Sequence, residues 1–296
     1  MLQLPNERVQ FFRDEGYLTL DALTDPGEIQ GIRTTIERLF KERAGENEGA
    51  YGDLIASDEH LAEENCPQLL NPVNYAPQLH KTRCFRNALS VAKQILGDEA
   101  RFFLDLSILK MPTKGAATPW HQDEAFRDPR FEYTELTIWV PLQDVNLQNG
   151  CMQFIPGSHK RPVLEHHSMN DDLASQALQC TGPFDDSAAV ACPLPAGGCT
   201  IHHPGTLHYA GPNGSDRPRF AYIMVFGVSP KLRAELRAFR WLEQRKTPFQ
   251  VRKRRWMQRG GFFITAGRRL RRGDLLNWRS FVYWAKRSIR VLRSGS

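Results

Sequence analysis

The sequence is poor in cysteine and has no long apolar run. Its six cysteines include no Cys-x-x-Cys pair and form no dense framework, so we expect reduced thiols in a cytosolic protein. Nowhere do about 20 apolar residues follow one another, the length that a membrane-spanning helix needs. The first residues also lack the basic-then-apolar pattern of a secretory signal. Together these absences predict a cytoplasmic location.

Acidic residues are scarce in the last part of the chain. Residues 231–296 contain 20 Lys and Arg against 3 Asp and Glu, a net charge of +17, whereas residues 1–230 have a net charge of −11. A chain of 296 residues with 41% hydrophobic content can build a substantial core. We therefore predict a folded body, residues 1–230, and a basic extension, residues 231–296. The charge asymmetry indicates an anionic partner for the extension.

A short polar motif, WHQD at residues 120–123, suggests a metal site. His121 and Asp123 are two residues apart, and on a β-strand such residues point to the same face. A third imidazole would complete a set of two histidines and one carboxylate, which leaves the other positions of an octahedral ferrous ion open. The motif alone is weak, so the prediction depends on residues further along the chain.

The third imidazole is predicted to be His208. Residues 199–202 have strand character, Pro204 and Gly205 interrupt it, and His208 begins the next run. His202 and His203 are competing ligands, but adjacent strand residues face opposite ways, so at most one of them could bind the same ion.

A buried cation is predicted eleven residues later. Arg219 opens the apolar strand at residues 220–226, where an unpaired charge would be costly. A dicarboxylate could pair with it through two parallel hydrogen bonds. Arg217 is a competing candidate whose spacing from His208 fits less well.

These motifs resemble the phytanoyl-CoA dioxygenase family of iron(II)- and 2-oxoglutarate-dependent oxygenases. The resemblance covers residues 8–228 through segments that are specific in their order and spacing. They are residues 11–18 (FFRDEGYL), 119–123 (PWHQD) with 139–144 (WVPLQD), 150–159 (GCMQFIPGSH) and the block 208–219.

The resemblance implies a fold, a set of cofactors and a site. The fold would be mainly β with flanking helices, built on a double-stranded β-helix (jelly-roll, cupin-like) core, followed here by a basic helical extension. His121, Asp123 and His208 would bind Fe(II), and Arg219 would hold the distal carboxylate of 2-oxoglutarate, with Gln122 and Trp139 lining the co-substrate pocket. Dioxygen would be the second co-substrate. Halogenating relatives lack the carboxylate ligand, so Asp123 favours hydroxylation.

Local patterns place the motifs on elements. Thr24 and Asp25 precede Pro26 at a predicted helix start, and an apolar stripe follows at Ile29, Ile32, Ile36, Leu39 and Phe40. Residues 101–110 and 132–142 have strand character. Residues 157–198 lack periodicity, which predicts a long insertion over the mouth of the site.

The basic extension contains a predicted amphipathic helix, residues 278–293, with aromatic residues on its apolar side. Such a helix with basic clusters is typical of proteins that lie on anionic membranes. The predicted membrane-binding residues are Trp278, Phe281, Lys286, Arg287 and Arg290. Packing on the body or on a second copy is the main alternative. Nucleic acid is disfavoured, because the aromatic residues do not alternate through the basic clusters.

The predicted substrate is an anionic, membrane-associated molecule, such as a lipid or the acidic sugar of the lipopolysaccharide inner core, which the protein would hydroxylate. The protein itself would lie peripherally on the inner face of the membrane. A small soluble metabolite and an acyl-CoA thioester stay open as alternatives. A catalytically inactive scaffold is disfavoured, because every expected metal and co-substrate residue is present.

Overall fold

The computed structural model describes residues 2–55, 64–113, 115–243, 245 and 247–271. The α-helices are α1 (Asn6–Glu15), α2 (Pro26–Lys41), α3 (Arg83–Leu96), α4 (Arg240–Glu243), α5 (Pro248–Trp256) and α6 (Phe262–Arg271). The strands are β1 (Tyr17–Leu20), β2 (Tyr51–Asp53), β3 (Pro67–Leu70), β4 (Arg101–Lys110), β5 (Thr118–His121), β6 (Phe131–Glu132), β7 (Glu135–Pro141), β8 (Met152–Phe154), β9 (His166–Ser168), β10 (Leu178–Cys180), β11 (Val190–Cys192), β12 (Cys199–His202), β13 (His208–Ala210), β14 (Arg219–Gly227) and β15 (Lys231–Leu232).

Helix α2 begins where its capping residues predict. The Asp25 side chain accepts the backbone N–H of Glu28 at 2.9 Å, and Pro26 occupies the first turn, where no N–H is needed. The predicted apolar stripe is buried at all five positions. With α1 and α3, this helix packs on the outer face of the large sheet, so the main core lies between these helices and the sheet.

The large sheet contains seven antiparallel strands in the order β1-β12-β7-β14-β4-β3-β2. Its centre is β14, which pairs with β7 on one side and β4 on the other. Strand β4 has the bounds that the sequence predicts, and β7 lies within the predicted range.

The small sheet has the order β11-β8-β13-β5. It faces the inner side of the large sheet, and a second apolar cluster fills the space between them. That cluster includes Tyr17, Trp139, Met152, Phe154, Ala210 and Ile223. Two facing antiparallel sheets of this kind form a jelly roll, which confirms the prediction of a mainly β fold with a double-stranded β-helix core and flanking helices.

Residues 157–198 are more regular than predicted. They contain the hairpin β9–β10 and the strand β11, which joins the small sheet beside β8. The strands are only three residues long, which is why no periodicity is visible in the sequence.

The first part of the basic extension folds back onto the body. Strand β15 pairs with β6, Trp241 Nε1 donates to Ala125 O at 3.0 Å, and the Arg268 guanidinium binds the Glu48 carboxylate. Helix α5 lies so close to Gly49 that a side chain there would collide with the backbone of Lys253. The predicted membrane-binding residues, 278–290, lie outside the described residues.

The state of the cysteines and the length of the helices bear on two features of the sequence, its cysteine pattern and its lack of a long apolar run. All six cysteines are free and buried. In the part of the chain that the structure describes, no helix combines the length and the apolar character required to cross a bilayer.

One carboxylate fixes α3 against α2. Glu28 accepts the backbone N–H groups of Arg83 (2.6 Å) and Cys84 (2.8 Å) at the start of α3, and also the Thr24 hydroxyl. Partial burial opposes ionisation, but these three hydrogen bonds outweigh it and lower the pKa of Glu28 below its ordinary 4.5.

We expect Glu28→Gln to reduce the free energy of unfolding at pH 7 by about 1–3 kcal/mol, because hydrogen bonds to a charged acceptor are lost. A lowered folded-state pKa stabilises the fold above pH 4.5, and this contribution disappears as the pH falls through the lowered value. The difference between wild type and variant, measured by urea unfolding, should therefore shrink on acidification below pH 4.5. Glu37→Gln, which removes a partly exposed ion pair with Arg33 on the same helix, should change stability by less than about 1 kcal/mol. Equal effects of the two variants would contradict this assignment.

Candidate active site

Two histidines face each other across the small sheet. Strand β5 ends at His121 and β13 begins at His208, and the register pairs these two residues directly. Their ring centroids are 4.1 Å apart. Asp123 follows two residues after His121, at the start of a single 3-10 turn, Asp123–Phe126. One ligand atom from each of the three residues lies within 4.8 Å of the other two, so the structure brings the predicted set together.

Hydrogen bonds orient both imidazoles. His121 Nδ1 lies 2.7 Å from Pro119 O, and His208 Nδ1 lies 2.9 Å from Thr206 O. A carbonyl can only accept, so each Nδ1 carries the proton and each Nε2 presents a lone pair. These Nε2 atoms lie 3.8 Å and 3.7 Å from Asp123 Oδ1. This arrangement is the one that metal-binding histidines require.

Burial sets the protonation state of the site. It lowers the pKa of His121 and of His208, so both imidazoles are neutral near pH 7. Burial alone would raise the pKa of Asp123, but the hydrogen bond from His202 and the neighbouring His208 and His121 hold it well below its usual value. Neutral imidazoles and an ionised carboxylate are the forms that bind a metal, and a two-histidine, one-carboxylate set fits iron(II).

Two further residues hold the carboxylate. Thr137 Oγ1 donates to Asp123 Oδ2 at 2.7 Å, and His202 Nε2 lies 3.2 Å from the same oxygen. His202, a competing ligand in the sequence, thus contacts the carboxylate from behind. His203 points elsewhere, because its Nδ1 accepts the backbone N–H of Gly205. Thr137 was missed in the sequence, although it precedes Trp139 by two residues on the same face of β7.

Arg219 is buried at the start of β14, and only 2% of its surface is exposed. Its guanidinium lies over the Trp139 ring, 5.5 Å from the centroid. Its Nε and Nη1 have no hydrogen-bond partner among the described residues. Burial lowers the pKa of Arg219 to about 10, so it stays charged at neutral pH. The competing Arg217 is exposed.

A second buried cation lies beside Arg219. Lys110 is its register partner on β4, and Lys110 Nζ donates to Ala210 O (2.7 Å) and Gly211 O (2.6 Å). Burial and the proximity of Arg219 lower the pKa of Lys110 to about 7. No motif in the sequence indicates this residue, because its position depends on the pairing of β4 with β14. A guanidinium that stays charged, beside an amine that is about half protonated near pH 7, makes this end of the site suitable for an anion.

Gln122 lies between His121 and Asp123 in the sequence. Its side chain is buried, but it points to the opposite face from these two residues. Gln122 Nε2 donates to Gly205 O at 2.7 Å, and its Oε1 accepts the backbone N–H of Leu164 at 2.8 Å. It therefore links the segment before β9 to the loop before β13. Its predicted contact with the co-substrate stays a prediction.

Comparison with known proteins agrees with this geometry. The family model described as phytanoyl-CoA dioxygenase (PhyH) matches residues 12–221. The chain is 26% identical over 246 residues to an L-proline trans-4-hydroxylase from Streptomyces griseoviridis, covering 75% of this chain and 86% of the relative. It is 27% identical over 228 residues to a probable alpha-ketoglutarate-dependent hypophosphite dioxygenase from Stutzerimonas stutzeri, covering 73% and 77%.

A solved structure supports the same conclusion. EvdO2 from Micromonospora carbonacea var. aurantiaca, complexed with 2-oxoglutarate, is similar with a TM-score of 0.70 and 32% identity, over 81% of this chain and 97% of that one. The family match, the shared fold and the converging histidine and aspartate ligand atoms agree, and the chain belongs to the phytanoyl-CoA dioxygenase family.

Proposed function

We propose that this protein is an iron(II)- and 2-oxoglutarate-dependent hydroxylase whose iron ligands are His121, Asp123 and His208. The convergence of their ligand atoms within 4.8 Å carries the proposal. When bound, iron and 2-oxoglutarate supply the oxidising chemistry: dioxygen converts 2-oxoglutarate to succinate and carbon dioxide, and a C–H bond of the substrate becomes C–OH.

The chain's own residues supply orientation. Thr137 and His202 occupy Asp123 Oδ2, so Oδ1 remains directed at the two imidazoles. The carbonyls of Pro119 and Thr206 keep both rings in the tautomer that presents Nε2. Such contacts hold ligands in place before the metal arrives, and removing them usually weakens metal affinity.

Arg219 is proposed to bind the distal carboxylate of 2-oxoglutarate. Two of its guanidinium nitrogens are buried and have no partner in the described ranges of the chain, and a carboxylate can accept hydrogen bonds from a guanidinium through both of its oxygens. Lys110 lies beside it, and a bound carboxylate would favour the protonated form of this amine, whose pKa is otherwise about 7. Trp139 covers the guanidinium and limits access of water to it.

The substrate is proposed to be a small organic molecule with an anionic group. An L-proline trans-4-hydroxylase is among the similar proteins, and a small acid is compatible with this site. Residues 272–296 add six basic residues and one acid, and we further propose that they hold the protein at an anionic membrane surface, where a lipid-linked substrate would be available.

The metal assignment predicts that His121→Ala and Asp123→Ala each abolish iron binding and 2-oxoglutarate turnover. Purified wild-type protein reconstituted anaerobically should bind about one iron(II) per chain, as three ligands converge on one point. Iron content and succinate formation are the measurements. His167→Ala removes an exposed histidine and should change neither. Full iron binding by both ligand variants would reject the assignment.

The clamp assignment predicts that Arg219→Ala weakens 2-oxoglutarate binding by about 2–4 kcal/mol, the scale for removing one partner of a buried charge pair. Iron binding should persist, because Arg219 is not a ligand. Arg217→Ala makes the same change at an exposed position and should have little effect. Calorimetric titration of 2-oxoglutarate into the metal-loaded wild type and the two variants measures these affinities. The reverse ranking would transfer the role to Arg217.

The membrane assignment predicts that the full chain cosediments with phosphatidylserine-containing vesicles more than with phosphatidylcholine vesicles. Salt should weaken binding by screening. A chain ending at Arg271 keeps the segment that packs on the body and should lose the binding while retaining iron. Equal sedimentation of the two chains with anionic vesicles at low salt would refute membrane binding by residues 272–296.

A further inference from the structure

Two arginines are buried among the described residues. Arg219 is 2% exposed and Arg245 is 7% exposed. Arg219 has a proposed partner, the distal carboxylate of 2-oxoglutarate. Arg245 lies in the basic extension, between α4 and α5, and no residue of the family motifs in the sequence points to it.

Among the described residues, Arg245 is held by neutral groups. Its Nη2 donates to Ser175 O at 3.1 Å and to Gln176 O at 2.6 Å, while its buried Nε has no partner in the described part of the chain. Among the described residues no carboxylate forms an ion pair with it. Burial lowers the pKa of Arg245 only to about 10, so the group keeps its charge at neutral pH. A buried cation of this kind is costly unless an anion reaches it.

The position of Arg245 relative to the ligand set is well defined. Its Cζ lies 5.5 Å from the centroid of Phe126. The Phe126 ring in turn meets His121 edge-on, with 5.8 Å between centroids. One aromatic ring therefore separates the guanidinium from a proposed iron ligand.

The segment before Arg245 is attached to the turn that carries Asp123. Trp241 Nε1 donates to Ala125 O, and the Arg237 guanidinium binds the Glu124 carboxylate. These contacts fix the extension over residues 123–126. The first part of the basic extension therefore lines one side of the site.

Other buried polar atoms in this region also lack partners among the described residues. They are Ser175 Oγ and Gln176 Oε1, in the two residues whose carbonyls Arg245 binds, and Ser168 Oγ, in the strand that pairs with β10. Hydroxyl and amide groups that no protein atom satisfies are suited to a polar ligand, because buried polar groups normally have hydrogen-bond partners.

We propose that Arg245 binds an oxyanion of the substrate, a carboxylate, sulfate or phosphate group, and so selects anionic substrates. This inference rests on the proposed hydroxylase function and specifies the substrate class of the same site. Arg245 has its Nε–H to offer to an oxygen of such a group, and its positive charge adds to that hydrogen bond. A substrate without the anionic group would leave the guanidinium unpaired, and a site built in this way discriminates strongly against such a molecule.

The test uses the full chain loaded with manganese(II) and saturating 2-oxoglutarate, so that Arg219 is already occupied. Acetate, sulfate and inorganic phosphate are titrated separately at constant ionic strength maintained with sodium chloride. The midpoint of thermal unfolding is followed, because a ligand that binds the folded state raises it by mass action. The three anions distinguish a carboxylate from a sulfate or phosphate site.

We expect at least one anion to stabilise the wild type more than chloride does. Arg245→Gln should weaken that anion's apparent affinity about tenfold or more, the scale for losing charged hydrogen bonds. Arg240→Gln removes the same charge from an exposed position five residues earlier and should leave the affinity unchanged. Should Arg245→Gln fail to fold, Arg245→Lys keeps the charge but removes the Nε–H donor, and should weaken the affinity severalfold.

A purely structural role predicts a different result. Arg245 variants would then unfold at lower temperature without anions, but the anion-dependent increase would be the same as in wild type, and this would overturn the proposal. A response that survives Arg245→Gln but disappears in Arg219→Ala, or no response of the wild type to any of the three anions, would also overturn it.

Failure of the hydroxylase function would be recognised separately. Substrate-independent conversion of 2-oxoglutarate to succinate by the iron-loaded protein depends on the ligand set and Arg219. It should be retained in the control Arg240→Gln. Its absence from the wild type would reject the proposed function, whereas its presence together with an unchanged anion response in Arg245→Gln would reject only the role of Arg245.

Discussion

The pairing of β5 with β13 is the constraint on which the site depends. It sets His121 opposite His208, and a shift of one residue would turn one imidazole to the opposite face of the sheet. The register changes directly after His208, at the irregularity before Ala210. Lys110 donates to the carbonyls of Ala210 and Gly211 from the large sheet. One buried lysine thus holds the strand that carries a proposed iron ligand and also lies beside Arg219.

Charge is segregated within the interior. The end with the candidate iron ligands contains one ionised carboxylate, Asp123, beside the neutral imidazoles of His121 and His208. The other end contains Lys110 and Arg219 in adjacent strands, without a carboxylate partner among the described residues. A dicarboxylate that also chelates a cation matches this separation at both ends. The apolar cluster between the sheets keeps water from screening it, so each charge acts more strongly than it would at the surface.

Local patterns predicted much of this arrangement. A two-residue spacing placed His121 and Asp123 on one side, and capping residues placed the start of α2. The distant partners could not be predicted in the same way. Thr137, Lys110 and the role of His202 depend on which strands are neighbours, and a single sequence does not show that order. The extension was predicted as a separate segment because its composition is so basic, yet its first part packs over residues 123–126 through individual contacts. Composition reports net charge and does not report which charges are paired.

The central strand of the large sheet is also the last of its strands to be synthesised. Strand β14 begins at Arg219 and ends at Gly227, whereas its neighbours β4 and β7 are complete by Pro141. While β14 is still inside the ribosome, the large sheet of the nascent chain lacks the strand between β7 and β4. Arg219 is then not yet in its buried position. Such distant pairing is slow to form. The growing chain can therefore complete the large sheet, and with it the buried position of Arg219, only after Gly227 has been translated.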